Sequence, residues 1–339
     1  MPATVDNLGI NLDKIVDNLG EKCQDPTVKT DIITNMFYET DLSDRMEILD
    51  NVIDEVPIVN AEFNANPKPM PDANNITYDE DLVAFDNRLL KTRAIVLPFK
   101  LVPRNLLNNY VTLINKEAYK AKSSMADPFY MPFEDWFLQN VRKAAIAKLN
   151  ETCIFRGIYN PAGTTTADNF DGFLKKVSDA VTAGDITPVA TGAITASNVL
   201  KALQDVYDAL GEQHKGGMVN IHVNPTIFDW LSRQYPSLSN RSLIISDVAS
   251  AALRQPLKSI PLDGTNAIVH REVGMGNSQR VICTTKGNLH LGYYGDPNYV
   301  QIEVQKFDLQ LKFIMTFKAG VEFAILKDSF GNITVNEQI

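Results

Sequence analysis

The sequence predicts an α+β protein built from a helical N-terminal arm, a long extended finger, one long helix, a compact α/β lobe and a β-rich C-terminal segment. Three observations carry this. Apolar residues recur at three- and four-residue intervals over 133–153. They alternate at period two in the last forty or so residues, and between these regions a helix, strand, helix, strand order occupies 180–269. At 339 residues the chain exceeds the size at which one core usually stops growing, so two lobes, or one lobe with long extensions, are expected.

Residues 1–56 form the arm. They read as short amphipathic helices broken at Asp25-Pro26 and around Thr40 to Ser43. Ser43 is a candidate N-cap, followed by Met46, Ile48, Leu49, Val52, Ile53 and Val56 as an apolar stripe at helical spacing. The acidity of the chain is concentrated here. Residues 1–62 carry Lys14, Lys22, Lys29 and Arg45 against 14 acidic side chains, a net of -10, whereas the remainder is +1. Neither part has the basic excess through which phosphate-neutralising proteins gain affinity, so sequence-specific nucleic-acid recognition is disfavoured. The acidic arm reads as a solvated helical face.

Residues 57–103 form the finger. Val59 to Ile76 is rich in Asn, Pro and Asp, and Pro67, Pro69 and Pro71 at alternate positions exclude helix and central strand, which makes this a loop tip. Leu82 to Phe85 and Thr92 to Val102 are rich in β-branched and aromatic residues and are expected to be its strands, with Pro98 and Pro103 marking an edge. A two-stranded hairpin is marginally stable alone in water, so a finger of this length implies a neighbouring molecule.

Residues 104–126 look helical. After Asp127-Pro128 the strongest helix is expected over 132–155, roughly 35 Å long at 1.5 Å per residue. Phe133, Trp136, Phe137, Val141, Ala144, Ala145, Leu149 and Cys153 form its apolar stripe, while Arg142, Lys143, Lys148 and Glu151 lie elsewhere on the circumference. Pro132 and Gly157 suit its entry and exit. In the lobe, Thr195 or Ser197 caps a helix bearing Val199, Leu200, Leu203, Val206, Tyr207 and Leu210. A strand, Met218 to Val223, follows, and Asn224-Pro225 opens a helix with Ile227, Phe228, Trp230 and Leu231. A further helix is expected around Asp247 to Leu253. Towards the C-terminus, Val300, Ile302 and Val304 alternate, the phase slips at Lys306-Phe307, and alternation resumes through Phe317. A one-residue slip predicts a bent strand. Gly320 is expected to break the run before Val321, Phe323 and Ile325.

No phosphate loop, HExxH pair or GxSxG elbow is present. Gly274-Met275-Gly276 lacks the third glycine of a dinucleotide fingerprint, Ser278 lacks flanking glycines, and both read as a surface turn. His214, His222, His270 and His290 show no metal-ligand spacing. Asp54-Glu55 and Asp79-Glu80-Asp81 read as solvated charge in the arm and finger. Cys23, Cys153 and Cys283 are odd in number and far apart, which argues against a disulfide framework or a thiolate zinc site and suits a reducing compartment. No catalytic residue, cofactor or metal is expected. No apolar run approaches the ~20 residues of a membrane span, and no basic region followed by an apolar core opens the chain, so neither membrane insertion nor secretion is expected. The sequons at Asn75-Ile76-Thr77 and Asn332-Ile333-Thr334 then carry no meaning.

In order, these parts resemble the tailed-bacteriophage major capsid proteins of the Hong Kong 97-type fold. The resemblance runs from about Val56 to the C-terminus. It rests on Leu89 to Leu107 leaving the finger, Phe133 to Gly163 as spine and turn, Val219-Asn220-Ile221-His222-Val223-Asn224-Pro225 as a strand ending before a helix, and Phe307 to Ile325 leading into Asp328-Ser329-Phe330-Gly331-Asn332. It implies that 57–103 is the extended E-loop, that 104–179 with 270–339 is the peripheral domain, and that 180–269 is the axial domain. It also implies a self-assembling, non-enzymatic subunit of an icosahedral shell, formed in the host cytoplasm and found in the virion. Hexamers and pentamers would surround double-stranded DNA contacted non-specifically, with portal and scaffolding proteins as further partners. The acidic arm would be kept away from packaged DNA. Phe63, Met70, Tyr78, Leu82 and Phe85 on the finger, and Trp136 and Phe137 on the spine, are the candidate contacts between subunits, with core packing the alternative for the last two. No long N-terminal scaffolding domain is evident, and Lys68 near the tip is a candidate for the cross-link some members form. An encapsulin nanocompartment is the near alternative. An α/β enzyme with its site around His222 and Asp229 is the distant one.

Overall fold

The computed structural model describes residues 12–38, 42–63, 83–101, 133–234, 258–307, 310–327 and 331–338. The helices expected over 104–126 and around Asp247 to Leu253, and the proline-rich tip, lie outside these. Helices Leu12–Gln24 (α1) and Pro26–Tyr38 (α2) are separated at Asp25, whose carboxylate accepts a hydrogen bond from the Thr27 amide at 2.8 Å. Leu19, Cys23, Ile32, Ile33, Met36 and Phe37 are buried in the main core.

The helix expected from Ser43 to Val56 does not form. Leu42–Arg45 (α3) is a single turn, and Glu47–Leu49 (β1) pairs in parallel with Leu289–Tyr294 (β9). Asn51 then adopts φ 58°, a left-handed conformation that Asn tolerates better than most residues and that a continuing helix excludes. The apolar residues of this stretch are divided among a strand, a turn and the start of Glu55–Phe63 (β2).

The hairpin is also framed differently from expectation. Its strands are β2 and Val83–Lys91 (β3), paired antiparallel from Glu55↔Lys91 to Phe63↔Val83. The expected second strand, Arg93–Leu101 (β4), turns away at Thr92 and joins the main sheet. There it pairs with Gln310–Phe323 (β11) from Arg93↔Ala319 to Leu101↔Leu311. Two of the three strands here are expected from the sequence; β2 is not, since Val56 is placed on a helical stripe and Val59 onward in the loop tip, and only hydrogen-bond partners separate a hairpin strand from a sheet strand.

β11 is the axis of the main sheet. β4 runs along one of its edges, and Ile302–Phe307 (β10) followed by β9 runs along the other. The phase slip at Lys306-Phe307 is therefore a strand reversal, not a bend. Register pairs Ile302 with Met315 and Val304 with Phe313, so even-numbered residues of β10 share the core face with odd-numbered residues of β11. Gly320 does not end the strand, which continues to Phe323.

Phe133–Thr152 (α4), about 30 Å long, packs across this sheet. Phe313 stacks on Phe99 at 4.8 Å between ring centres and meets Phe137 edge-on at 5.7 Å, while Phe37 stacks on Tyr293 at 4.7 Å. The expected apolar stripe of α4 divides. Phe137, Ala145, Leu149 and Cys153 are buried together with Leu138 and Ile146, whereas Trp136 and Val141 are half-buried and Ala144 is exposed. Gly157 is required by contact rather than as a helix cap, since a Cβ there would overlap the Phe170 carbonyl oxygen.

A second core lies around a five-stranded sheet. Its order is Ile333–Val335 (β12), Ile282–Thr285 (β8), Val219–Val223 (β5), Ala267–Arg271 (β7) and Ser259–Pro261 (β6). β8 and β12 come from the C-terminal segment, so the lobe draws strands from beyond Val269. Helices Phe173–Ala183 (α5), Val199–Asp208 (α6), Glu212–Lys215 (α7) and Pro225–Gln234 (α8) complete the described residues. The Ile227 amide donates to the Asn224 side chain at 2.7 Å, so Asn224-Pro225 opens α8 with the expected chemistry. At α6 the cap is Asn198, not Thr195 or Ser197, and its side-chain oxygen accepts from the Thr195 amide.

Phe313 is fully buried between α4 and β4. Phe313→Ala is expected to lower the stability of the unassembled subunit by about 3–5 kcal/mol in urea unfolding, through lost burial and the cavity left behind.

Candidate interaction surface

Alternation gives the hairpin two faces. Ile58 and Leu90 are buried and Val56 is half-buried, on a small cluster with Val52, Ala324, Leu49 and Ile325. The opposite face carries Pro57, Val59 and Leu89 in solvent, with Val59 62% and Leu89 45% exposed. Register places positions Ala61, Phe63, Val83 and Phe85 in line with this second face. Of the candidate finger contacts, Phe63 and Phe85 are thus in β2 and β3, and Met70, Tyr78 and Leu82 lie outside the described residues, as does Lys68. Val59 and Leu89, which sequence reasoning missed, are large exposed apolar residues among the described residues of the hairpin. Their signal was the alternation of apolar residues along β2, obscured by Pro57 and by the asparagines nearby.

A second apolar surface lies on the body. An open groove of about 590 Å³ runs between β4 and α4, lined by Ile95, Val96, Phe99, Trp136, Val141 and Ala144 among others. Val96 is 54% exposed. Of the two spine candidates, Trp136 lies on this groove. Phe137 lines its floor and is only 4% exposed, packed among the aromatic residues of its own chain.

The root of the hairpin is polar and closely fitted. At the corner between β3 and β4, the Thr92 amide donates to Asp54 O at 2.8 Å and its hydroxyl to Val52 O at 3.1 Å. Arg88 pairs with Glu322 at 3.2 Å, and Lys176 pairs with the other oxygen of the same carboxylate at 2.7 Å. Lys318 donates to Ile53 O at 2.8 Å and to Asp54 at 2.7 Å.

The lobe histidines form a different arrangement. His222 Nδ1 lies 2.8 Å from Glu272 Oε1, and Arg45 donates to Glu272 Oε2 at 2.8 Å. Both His222 and Glu272 are completely buried. Burial opposes the charge on Glu272, but the His222 hydrogen bond together with Arg45 and the two neighbouring imidazoles outweighs it and holds the carboxyl below its ordinary value. His270 stacks on His222 at 5.6 Å, and its Nε2 lies 3.1 Å from Asn220 Oδ1. Burial first, then His222 and Arg45 against the pull of Glu272, holds His270 down at about 3. Asp229, the other residue proposed for an enzymatic site, instead faces Arg271 at 3.6 Å. The cluster is a seam joining α3 to the lobe sheet, with His222 and Glu272 fully buried and His270 half-buried. The thiols of Cys23, Cys153 and Cys283 are likewise buried, which pushes them up to about 11, 12 and 12.

No family model and no curated protein matches the sequence. Among solved structures, a chain of the satellite phage P4 procapsid that includes the size determination (Sid) protein is 11% identical, with a TM-score of 0.53 over 90% of this chain and 97% of that one. A chain from the capsid of the empty GTA particle is 14% identical, with a TM-score of 0.52 over 88% and 89%. Its counterpart from the native GTA particle is 14% identical, with a TM-score of 0.50 over the same shares. The chain therefore has the fold of these capsid chains, in keeping with the α+β, Hong Kong 97-type arrangement expected from the order of its parts.

Two outcomes follow from the seam. Arg45→Met, which leaves Glu272 buried with one partner fewer, is expected to cost about 3–5 kcal/mol of subunit stability in denaturant unfolding. Between pH 6.5 and about 3, His270 is neutral when folded and protonated when unfolded, so stability declines as pH is lowered across that window. Unfolding curves recorded against pH should therefore be flatter there for His270→Gln than for the natural chain.

Proposed function

We propose that this chain is a structural subunit that assembles with copies of itself into an icosahedral shell around double-stranded DNA. The observation that carries this reading is the outer face of the hairpin, where Val59 and Leu89 stand in solvent on a two-stranded ribbon. A projecting apolar surface and an apolar groove elsewhere on the same chain make a heterologous pair, which closes into rings when the rotation between copies allows. The finger of one copy would lie in the groove of the next, with Trp136 beneath it. Hexameric and pentameric rings of this kind, burying on the order of 2,000–5,000 Å² per obligate interface, would be the units of the shell. The fold shared with capsid chains of the P4 procapsid and the GTA particle supports the same reading.

The proposed domain roles follow. Residues 57–91 would be the intersubunit loop, 180–269 together with strands β8 and β12 the axial domain, and β4 with 104–179 and the rest of 270–339 the peripheral domain. Outside its first 62 residues the chain is almost neutral, at +1, a balance suited to enclosing DNA without gripping it. Portal and scaffolding proteins would be its further partners, and the virion its final location.

Negative-stain microscopy of the expressed chain tests the proposal. Uniform polyhedral shells are the expected result, and monomers persisting at high concentration would overturn it. Shells holding a cargo protein and no nucleic acid would replace the viral reading with a nanocompartment. Val59→Asp and Leu89→Asp are each expected to raise the concentration needed for assembly by about tenfold or more, as loss of a central apolar anchor does. Unfolding of the separate subunit should be unchanged within about 0.5 kcal/mol, since both positions are exposed in it.

A further inference from the structure

Along β11, Lys318, Gly320 and Glu322 occupy alternate positions and so share one face, opposite the core residues Phe317, Ala319, Val321 and Phe323. Each meets a different part of the hairpin root. Lys318 holds Ile53 O and Asp54, with its ammonium 4.7 Å from the centre of the Tyr299 ring. Gly320 has the Lys91 carbonyl pressed directly onto its backbone, where a Cβ would overlap it. Glu322, 4% exposed, grips Arg88 on β3 and Lys176 on α5. Opposite Gly320 in the register stands Gly292 of β9, and a Cβ there would overlap Leu90. The hairpin thus rests on a pair of facing glycines between two charged clamps.

We propose that Lys318, Gly320 and Glu322 are positioning residues that set the angle at which the hairpin leaves the body. Apolar contacts in the small cluster beneath the root are non-directional and allow sliding, whereas the two clamps are directional, charge-assisted hydrogen bonds. The glycine pair fixes the height at which they close. A nine-residue strand is a lever of about 30 Å, so a tilt of about 10° moves its far end by roughly 5 Å, one strand spacing. On the assembly reading, on which this consequence rests, such a displacement misaligns finger and groove, and the clamps thereby set the curvature of the shell.

Arg88 and Lys318 can be altered without stranding Glu322, because Lys176 remains paired with it. The test uses the full chain, unassembled, with nitroxide labels at Val59→Cys on the hairpin and Ala147→Cys on the exposed side of α4. The three natural thiols are buried and do not compete. Pulsed electron-electron resonance should give one narrow distance distribution with the clamps intact. Arg88→Gln combined with Lys318→Met should widen it at least twofold. Equal widths, or a broad distribution in both, would overturn the proposal. Should the double variant fail to fold, Arg88→Gln alone supplies the comparison. This measurement needs no shell, so it stands apart from failure of the assembly reading. Where shells do form, unlabelled Arg88→Gln/Lys318→Met shells are expected to scatter in diameter, and shells as uniform as those of the natural chain would remove the link to curvature.

Discussion

The two faces of β11 carry incompatible demands, and the rest of the molecule is arranged around meeting both. Its odd-numbered residues, from Leu311 to Phe323, supply the floor on which α4 and α2 pack. Its even-numbered residues begin half-exposed and become buried at Gly320 and Glu322, where the hairpin root crosses. Because strand alternation ties the two faces together, a slip of one residue would turn the core into the cradle and expose the aromatic floor. The register against β4, β10 and β9 is therefore what lets one strand serve as both core and support.

The seam of Arg45, Glu272 and His222 performs a comparable task between regions distant in sequence. A buried carboxylate satisfied on both oxygens is costly to disrupt, though apolar packing of the same volume could be at least as stable. What the pair adds is direction: Arg45 and His222 each contact one oxygen of Glu272, and such charge-assisted hydrogen bonds favour a particular geometry between α3 and the lobe sheet. The same logic recurs at the hairpin root, where Glu322 receives cations from β3 and α5. In both places polar contacts specify geometry while the apolar clusters around them provide cohesion.

Exposure of Val59 and Leu89 makes sense in this frame. A hairpin that buried its outer face against its own body would gain stability but could not project. Here one face rests on a small cluster and a few directional bonds, and the other stands in solvent, where the proposed assembly would use it. The groove between β4 and α4 is apolar too, and the part of the α4 stripe that the core leaves uncovered, Trp136, Val141 and Ala144, lines it.

Periodicity and composition by themselves determined the α+β class, the long helix, the helix opened by Asn224-Pro225, the strands of the C-terminal segment and the presence of a hairpin, because these depend on local spacing and on residues with restricted backbones. The order of the parts also pointed to the capsid fold. Only the tertiary structure decided which strands form the hairpin, that the slip at Lys306-Phe307 is a reversal, that Met46 to Val56 leave the helix, and that Gly320 is a seat for a crossing chain. The stripe on α4 likewise could not reveal that Phe137 is enclosed while Trp136 lines a groove. The physical reason is common to all of these. Apolar spacing records that a side chain has something to cover it, but pairing, crossing and enclosure are set by residues far away in sequence, and only their meeting in space distinguishes one partner from another.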